Sequence, residues 1–338
     1  MNSKKVILGQ FFTRNEIWLR PQIKQFIIDS ACKIAYDPFA GNGDLLKVAS
    51  KLQLEVKGLD IDTSLGWEYN DSLLSIPHIP DGIIITNPPY ISNYSASRKK
   101  VLSNVKNYFD NSCYDDVYLI ALDKMLEAED YVVAIIPETF INSVYKQKQR
   151  LYSVTVLEEN PFVDTDTPVI VACFDKRIKS LKEVKIYKND DYVGDLQFIN
   201  DKRIEPQHII PMTFNDKNGW LGLRAIDLTD ISKQIYFDYK DNIDYDWDKG
   251  IKVSSRLYSL IDIDIEDKYK KDFIQKANSI LTELRNNTQD IILSPFKGNM
   301  KNGKRRRRLD FRTARAILEK AYESLNIGDN YEKQLRLF

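Results

Sequence analysis

Histidine and cysteine are scarce, with two and three residues in a chain of 338. His78 and His208 cannot build a histidine-rich metal site, so no metal is expected. Cys32, Cys113 and Cys173 lie far apart and form no CxxC pair. That excludes a disulfide framework or a zinc knuckle and points to a reducing cytoplasm. No apolar run approaches the ~20 residues of a membrane span. The opening Met1-Asn2-Ser3-Lys4-Lys5 is followed too soon by polar and aromatic residues for a signal peptide. A cytoplasmic chain with no membrane partner is therefore expected. Net charge is also missing, because 49 basic residues meet 49 acidic ones. A globally basic nucleic-acid binder is thus not indicated.

What is present is an ordinary globular balance, 43% apolar and 29% charged, which rules out disordered and collagen-like classes. At roughly 100–200 residues per domain, the length argues for two domains. Charge is uneven along the chain. Residues 297–315 hold nine Lys or Arg against one acid, Asp310, while residues 227–248 hold seven Asp against two Lys. A neutral chain with one strongly basic segment is a candidate for a polyanion partner.

The first half alternates apolar strands with helical stretches. Strands are expected at residues 33–37, 55–60, 82–86, 131–136 and 168–174, and helices at 45–52 and 114–126. Apolar strands separated by helices indicate a parallel sheet covered on both faces, a doubly wound α/β domain over residues 1–178. Beyond about residue 180 strand signals weaken, and helical spacing returns at 274–284 and 311–325. Residues 179–338 are read as a second, smaller domain.

Three motifs sit at strand ends. Asp37-Pro38-Phe39-Ala40-Gly41-Asn42-Gly43 follows the first strand, and its two glycines allow a tight turn with close ligand approach. Leu46 stands where a dinucleotide fingerprint needs a third glycine, and Asp37 would repel a pyrophosphate. Asp60, in Gly58-Leu59-Asp60-Ile61-Asp62, is placed to accept two ribose hydroxyls, or else ends the strand in a turn. Asp71 could accept from an adenine amine, although taken alone a surface turn explains it better. Asn87-Pro88-Pro89-Tyr90 follows the β-branched run 82–86 at the carboxyl end of the strands. Its prolines fix the backbone and remove two donors, so carbonyls and the Asn87 amide can face one donor group beside the Tyr90 ring.

Together these motifs resemble the S-adenosylmethionine-dependent adenine-N6 DNA methyltransferases of the gamma class. Gly9-Gln10-Phe11-Phe12-Thr13 precedes the loop in the order that family shows, with Arg14 where many members carry proline. The resemblance covers about residues 9–175. It implies a Rossmann-like class I methyltransferase sheet followed by a target-recognition domain. It places the cofactor against Phe12, Thr13, Asp37, Pro38, Phe39, Ala40, Gly41, Gly43, Asp60, Ile61, Asp71 and Asn87. Asn87, Pro88, Pro89 and Tyr90 would be catalytic, with Tyr90 and Phe162 on the target base. Phe162, after Asn160-Pro161, reads equally as a core residue at a strand entrance.

The implied chemistry suits these residue types. An adenine amine is a poor nucleophile, and two acceptors, the Asn87 side-chain oxygen and the Pro88 carbonyl, can draw its nitrogen toward tetrahedral geometry. Extruding the base costs a few kcal/mol, and aromatic stacking at ~1–3 kcal/mol offsets much of that.

The run Lys304, Arg305, Arg306, Arg307 and Arg308 is either a flexible phosphate-contacting segment or a solvated loop. Double-stranded DNA is the expected partner, alongside a separate cognate restriction endonuclease. Glu266-Asp267-Lys268 is too short a nuclease signal to set against chance. Rival readings keep the cofactor but take a protein glutamine or ribosomal RNA as acceptor, or make the chain a non-catalytic DNA-binding component. The glutamine type carries its extra domain before the catalytic one. Here the extra domain follows, and Asn87-Pro88-Pro89-Tyr90 is intact.

Overall fold

The computed structural model describes Thr13 and residues 16–163, 165–252 and 255–325. The chain divides into two compact units, Met1–Gln197 and Phe198–Phe338. The division falls after Gln197 rather than at residue 178, because two further strands, β8 (Lys185–Lys188) and β9 (Asp191–Asp195), extend the first sheet.

The first unit is built on a nine-stranded sheet in the order β3-β2-β1-β4-β5-β7-β6-β8-β9. Its strands are β1 (Ile34–Asp37), β2 (Glu55–Asp60), β3 (Glu68–Tyr69), β4 (Gly82–Thr86), β5 (Val132–Pro137), β6 (Leu151–Val156) and β7 (Val169–Phe174), with β8 and β9. Pairing is parallel from β3 through β5. β7 runs antiparallel to both β5 and β6, so the expected all-parallel sheet is a mixed one. β4 is buried along its whole length, as a β-branched strand covered on both faces must be. On one face, α1 (Pro21–Asp29) and α2 (Asp44–Ser50) bury Ile23, Phe26, Ile27, Leu45 and Val48 with Ile83, Ile85, Val133 and Ile135. Pro21 opens α1, where a missing N–H costs nothing. Side chains alternate along a strand, so Ile84, Ala134 and Ile136 are buried on the other face. Strand order reverses between β1 and β4, which leaves a crevice beyond their carboxyl ends. Of two more helices, α3 (Lys106–Asp110) and α4 (Val117–Ala128), the first supplies a residue to that crevice.

The second unit holds a four-stranded antiparallel sheet, β10-β13-β11-β12. Its members are β10 (Met212–Phe214), β11 (Leu221–Arg224), β12 (Tyr236–Tyr239) and β13 (Tyr258–Ile263). Leu221, Leu223, Phe237, Ile261 and Ile263 bury one face against α5 (Asp267–Asn287) and α6 (Phe311–Ser324). A separate hairpin joins β14 (Ser294–Asn299) to β15 (Arg305–Arg308).

The basic run is therefore not a flexible loop. It is strand β15, whose alternation turns every second arginine inward. Arg305 and Arg307 are 2% and 0% exposed, and side chains so enclosed cannot reach a DNA phosphate. The phosphate role expected for those two residues is corrected on that ground. Arg306 and Arg308 are half-buried, and Lys304 is exposed. Among the described residues no helix is long and apolar enough to cross a membrane, and no group of His, Cys, Asp or Glu could hold a metal ion.

Candidate active site

A cleft of about 120 Å³ opens at the carboxyl ends of β1, β2 and β4. Thr13, Asp37, Pro38, Phe39, Ala40, Gly41, Asp60, Ile61, Asp71, Asn87 and Pro89 all line it. Phe12, and with it Gly9, Gln10 and Phe11, lies outside the described residues. Gly43 is not in the lining. It starts α2 with φ 72° and backs onto Trp67 instead. No lysine or arginine is among the described lining residues, whereas Asp37, Asp44, Asp60, Asp62 and Asp71 are.

Each carboxylate has a defined setting. Asp37 ends β1 and is 2% exposed. Its Oδ1 accepts from the Phe39 N–H at 2.9 Å and from the Thr86 hydroxyl. Burial pushes its carboxyl up to about 7; the Thr86 and Phe39 hydrogen bonds pull it back in part, and Asp60 adds to the rise. Asp60 ends β2, and its two oxygens accept from the N–H groups of Gly41 and Asp62, each at 2.8 Å. The glycine loop is thereby tied to the neighbouring strand end. Asp71 accepts from the Leu73 N–H at 3.2 Å and, through Oδ2, from the Tyr108 hydroxyl at 2.8 Å. Burial and Asp71 together hold the Tyr108 phenol well above its usual range.

Trp67 and Tyr108 escaped the sequence reading. Trp67 Nε1 donates to the Gly41 carbonyl at 2.8 Å, and its ring lies where Gly43 and Gly58 would carry a Cβ. Two glycines fifteen positions apart gave no hint that one indole serves both. Tyr108 lines the cleft from α3, a helix of five residues with too few apolar positions to show a period.

Asn87 and Tyr90 follow β4. The Tyr90 hydroxyl lies within hydrogen-bond reach of Asn87 Oδ1 and of the Ile135 carbonyl, the latter at 2.6 Å. One hydroxyl hydrogen cannot serve two acceptors, and a backbone carbonyl can only accept. Tyr90 therefore donates to one of the two at a time, and Asn87 Oδ1, with a second lone pair, can still accept from another donor. Burial raises the Tyr90 phenol well above its ordinary value, so it stays a donor. Pro88 is buried and Pro89 faces the cleft. Phe162 is 7% exposed in the core beside Tyr90, with ring centroids 6.1 Å apart in an edge-to-face pair. Its backbone bridges that of Thr13, so the chain ahead of the glycine loop is laced to the segment after β6.

Residues 82–165 match the family model of the Eco57I restriction-modification methylases. The matched segment holds β4, the Asn87–Tyr90 turn, Tyr108, α4, β5 and Phe162. The match implies S-adenosylmethionine as cofactor. Solved structures that resemble the chain include one described as a class I S-adenosylmethionine-dependent methyltransferase from Listeria monocytogenes, with 13% identity and a TM-score of 0.37. That match covers 53% of this chain and 66% of the Listeria chain. A type I restriction-modification methyltransferase subunit from Streptococcus thermophilus shares 16% identity at a TM-score of 0.38, over 53% of this chain and 47% of its own. An rRNA methylase from the same organism shares 16% identity at 0.27, over 45% and 93%. No curated protein matches the chain.

The lining fits that cofactor. An acidic lining with no Lys or Arg among its described residues suits a ligand with an ammonium, a sulfonium and two ribose hydroxyls, and disfavours a pyrophosphate.

Proposed function

We propose that the chain is a site-specific DNA adenine-N6 methyltransferase, the modification enzyme of a type II restriction–modification system whose nuclease is a separate chain. One observation carries this reading: Asn87 and Pro89 of the Asn87–Tyr90 turn line the same cleft as Asp37, Asp60 and Asp71. An amine acceptor thereby stands beside an acidic cleft.

When bound, S-adenosylmethionine supplies an electrophilic methyl group on a sulfonium. Asp37 with the Ala40–Gly41 turn holds the methionine end, Asp60 the ribose, and Asp71 with Ile61 the adenine. Asn87 Oδ1 and the Pro88 carbonyl accept the two amine hydrogens of the target adenine and expose its lone pair. Tyr90, latched to Ile135, offers its ring face to the extruded base, and Phe162 holds the Tyr90 ring from the side. Phe162 thus acts through Tyr90, which unites the core reading of this residue with the base-contact reading.

Long-read modification mapping of DNA from a host expressing the protein tests the reading and reports the recognition sequence together. N6-methyladenine at one motif is expected. Asn87→Ala should lower methyl transfer about 10²–10³-fold, the usual loss for one transition-state donor or acceptor, while S-adenosylmethionine binding persists. Transfer to glutamine or ribosomal RNA with none to DNA would overturn the reading.

A further inference from the structure

The β14–β15 hairpin carries seven basic residues and no acid from 294 to 308. Its two sides are made differently. Inward, fully buried Asp227 grips β15: it accepts from the Arg307 N–H at 3.0 Å, donates its own N–H to the Arg307 carbonyl at 2.9 Å, and gives its carbonyl to Arg306 Nε at 2.8 Å. Outward, Lys297, Lys301 and Lys304 are all exposed. The turn between the strands is tightly bonded. Met300 N–H donates to the Lys304 carbonyl at 2.8 Å and Gly303 N–H to the Met300 carbonyl at 3.0 Å. Asn299 Nδ2 donates to the Gly303 carbonyl at 2.8 Å, and Asn302 Oδ1 accepts from the Lys304 N–H at 3.1 Å. Gly298 and Gly303 take left-handed backbone, φ 73° and 83°. Lys301 N–H reaches the Thr229 carbonyl at 2.9 Å and pins the tip to the loop after Asp227.

A narrow, pre-ordered ribbon whose outer charges are all positive is complementary to a row of phosphates. We propose that this ribbon docks on the phosphates of duplex DNA through Lys297, Lys301 and Lys304. The tip asparagines are engaged in holding the turn, so the tip recognises charge and not base identity. The proposal rests on the DNA reading above, keeps Lys304 from the basic run and adds Lys297 and Lys301: the inner arginines build the ribbon, and the lysines meet the ligand.

The test uses the full chain and fluorescence anisotropy on a mixed-sequence duplex over a range of salt. K297Q/K301Q/K304Q should flatten the slope of log affinity against log salt by up to about 2.7 units, roughly 0.9 for each lost phosphate contact. K271Q/K276Q/K320Q removes the same charge from exposed positions on α5 and α6 and should leave the slope unchanged. K297R/K301R/K304R should restore the wild-type slope. An unaltered slope in the Gln variant, or equal flattening in the control, overturns the ribbon. So does a single-stranded RNA of the same length that binds more tightly than the duplex and depends on the same lysines. Methyl transfer to genomic DNA, measured in parallel, separates the two claims. A chain that methylates DNA with a ribbon-independent slope keeps the functional reading and loses this proposal. One that binds duplex through the ribbon yet methylates no DNA does the reverse.

Discussion

Trp67 Nε1 donates to the Gly41 carbonyl, and the same indole fills the space left by two missing side chains. A Cβ on Gly43 would stand 2.7 Å from Trp67 Cζ2, and one on Gly58 only 2.4 Å from Cε3. At Gly41 the nearest atom would be 3.9 Å away. The three glycines thus do different things. Gly43 and Gly58 admit the ring that props the loop, while Gly41 leaves the cleft side of the loop clear and bonds to Asp60.

Gly58→Ala should displace the indole and loosen the loop without touching the cleft lining. Overpacking of this kind costs about 1–3 kcal/mol. We expect a lower melting temperature and S-adenosylmethionine affinity reduced about tenfold, the equivalent of 1.4 kcal/mol. Trp67→Phe keeps most of the ring volume but loses one hydrogen bond, worth about 1 kcal/mol. Thermal unfolding and titration calorimetry read both effects. Wild-type affinity in Gly58→Ala would show that the loop does not depend on its prop.

Tyr108 holds Asp71 Oδ2, and the Leu73 N–H holds Oδ1. A carboxylate fixed on both oxygens retains lone pairs aimed in set directions. Tyr108→Phe should weaken cofactor binding about three- to tenfold through lost orientation, since one such bond is worth about 1 kcal/mol. Asp71→Ala should cost more, and the double variant no more than Asp71→Ala alone, because the tyrosine acts through the carboxylate. Additive losses in that cycle would mean that Tyr108 touches the ligand independently.

Much of the first unit was legible because its strands are apolar on both faces and end in motifs; 55–60 and 82–86 coincide with β2 and β4. β8 was not, since Lys185–Lys188 buries only Ile186 and has no apolar run to mark it. The fate of the arginines was illegible for another reason. Four consecutive cations read as solvated until Asp227, about eighty residues earlier, is seen inside the second unit with Arg285 on both oxygens at 2.9 Å.

That buried pair gives a third prediction. Asp227→Ala takes from Arg285 one of its two carboxylate partners, leaving Asp290, and unties β15. Because Asp290 still compensates the guanidinium, the cost falls below the roughly 3–5 kcal/mol of a fully broken buried pair. The second unit should melt well before the first, with DNA binding lost and S-adenosylmethionine binding kept. A single unshifted transition would show that the Asp227 hub contributes little.

The last prediction concerns pH. Burial lifts the Asp37 carboxyl from 3.8 to about 7. The folded value lies above the unfolded one, so between these pH values the native chain holds an extra proton. Its contribution favours the native state at the acid end and is lost as pH rises through about 7. Asp37→Asn cannot ionise, so its stability relative to wild type should increase between pH 5 and pH 8. Cofactor binding should follow the opposite course. A cationic ammonium beside Asp37 favours the carboxylate, so binding near pH 6 must expel a proton, and affinity should rise toward pH 7 by up to about tenfold per pH unit, since one pKa unit is about 1.4 kcal/mol. Calorimetry in two buffers of different ionisation enthalpy counts that proton directly. Equal heats in both buffers, or affinity that falls over this range, would remove Asp37 from the ammonium site and leave it as a buried tie between the glycine loop and Thr86.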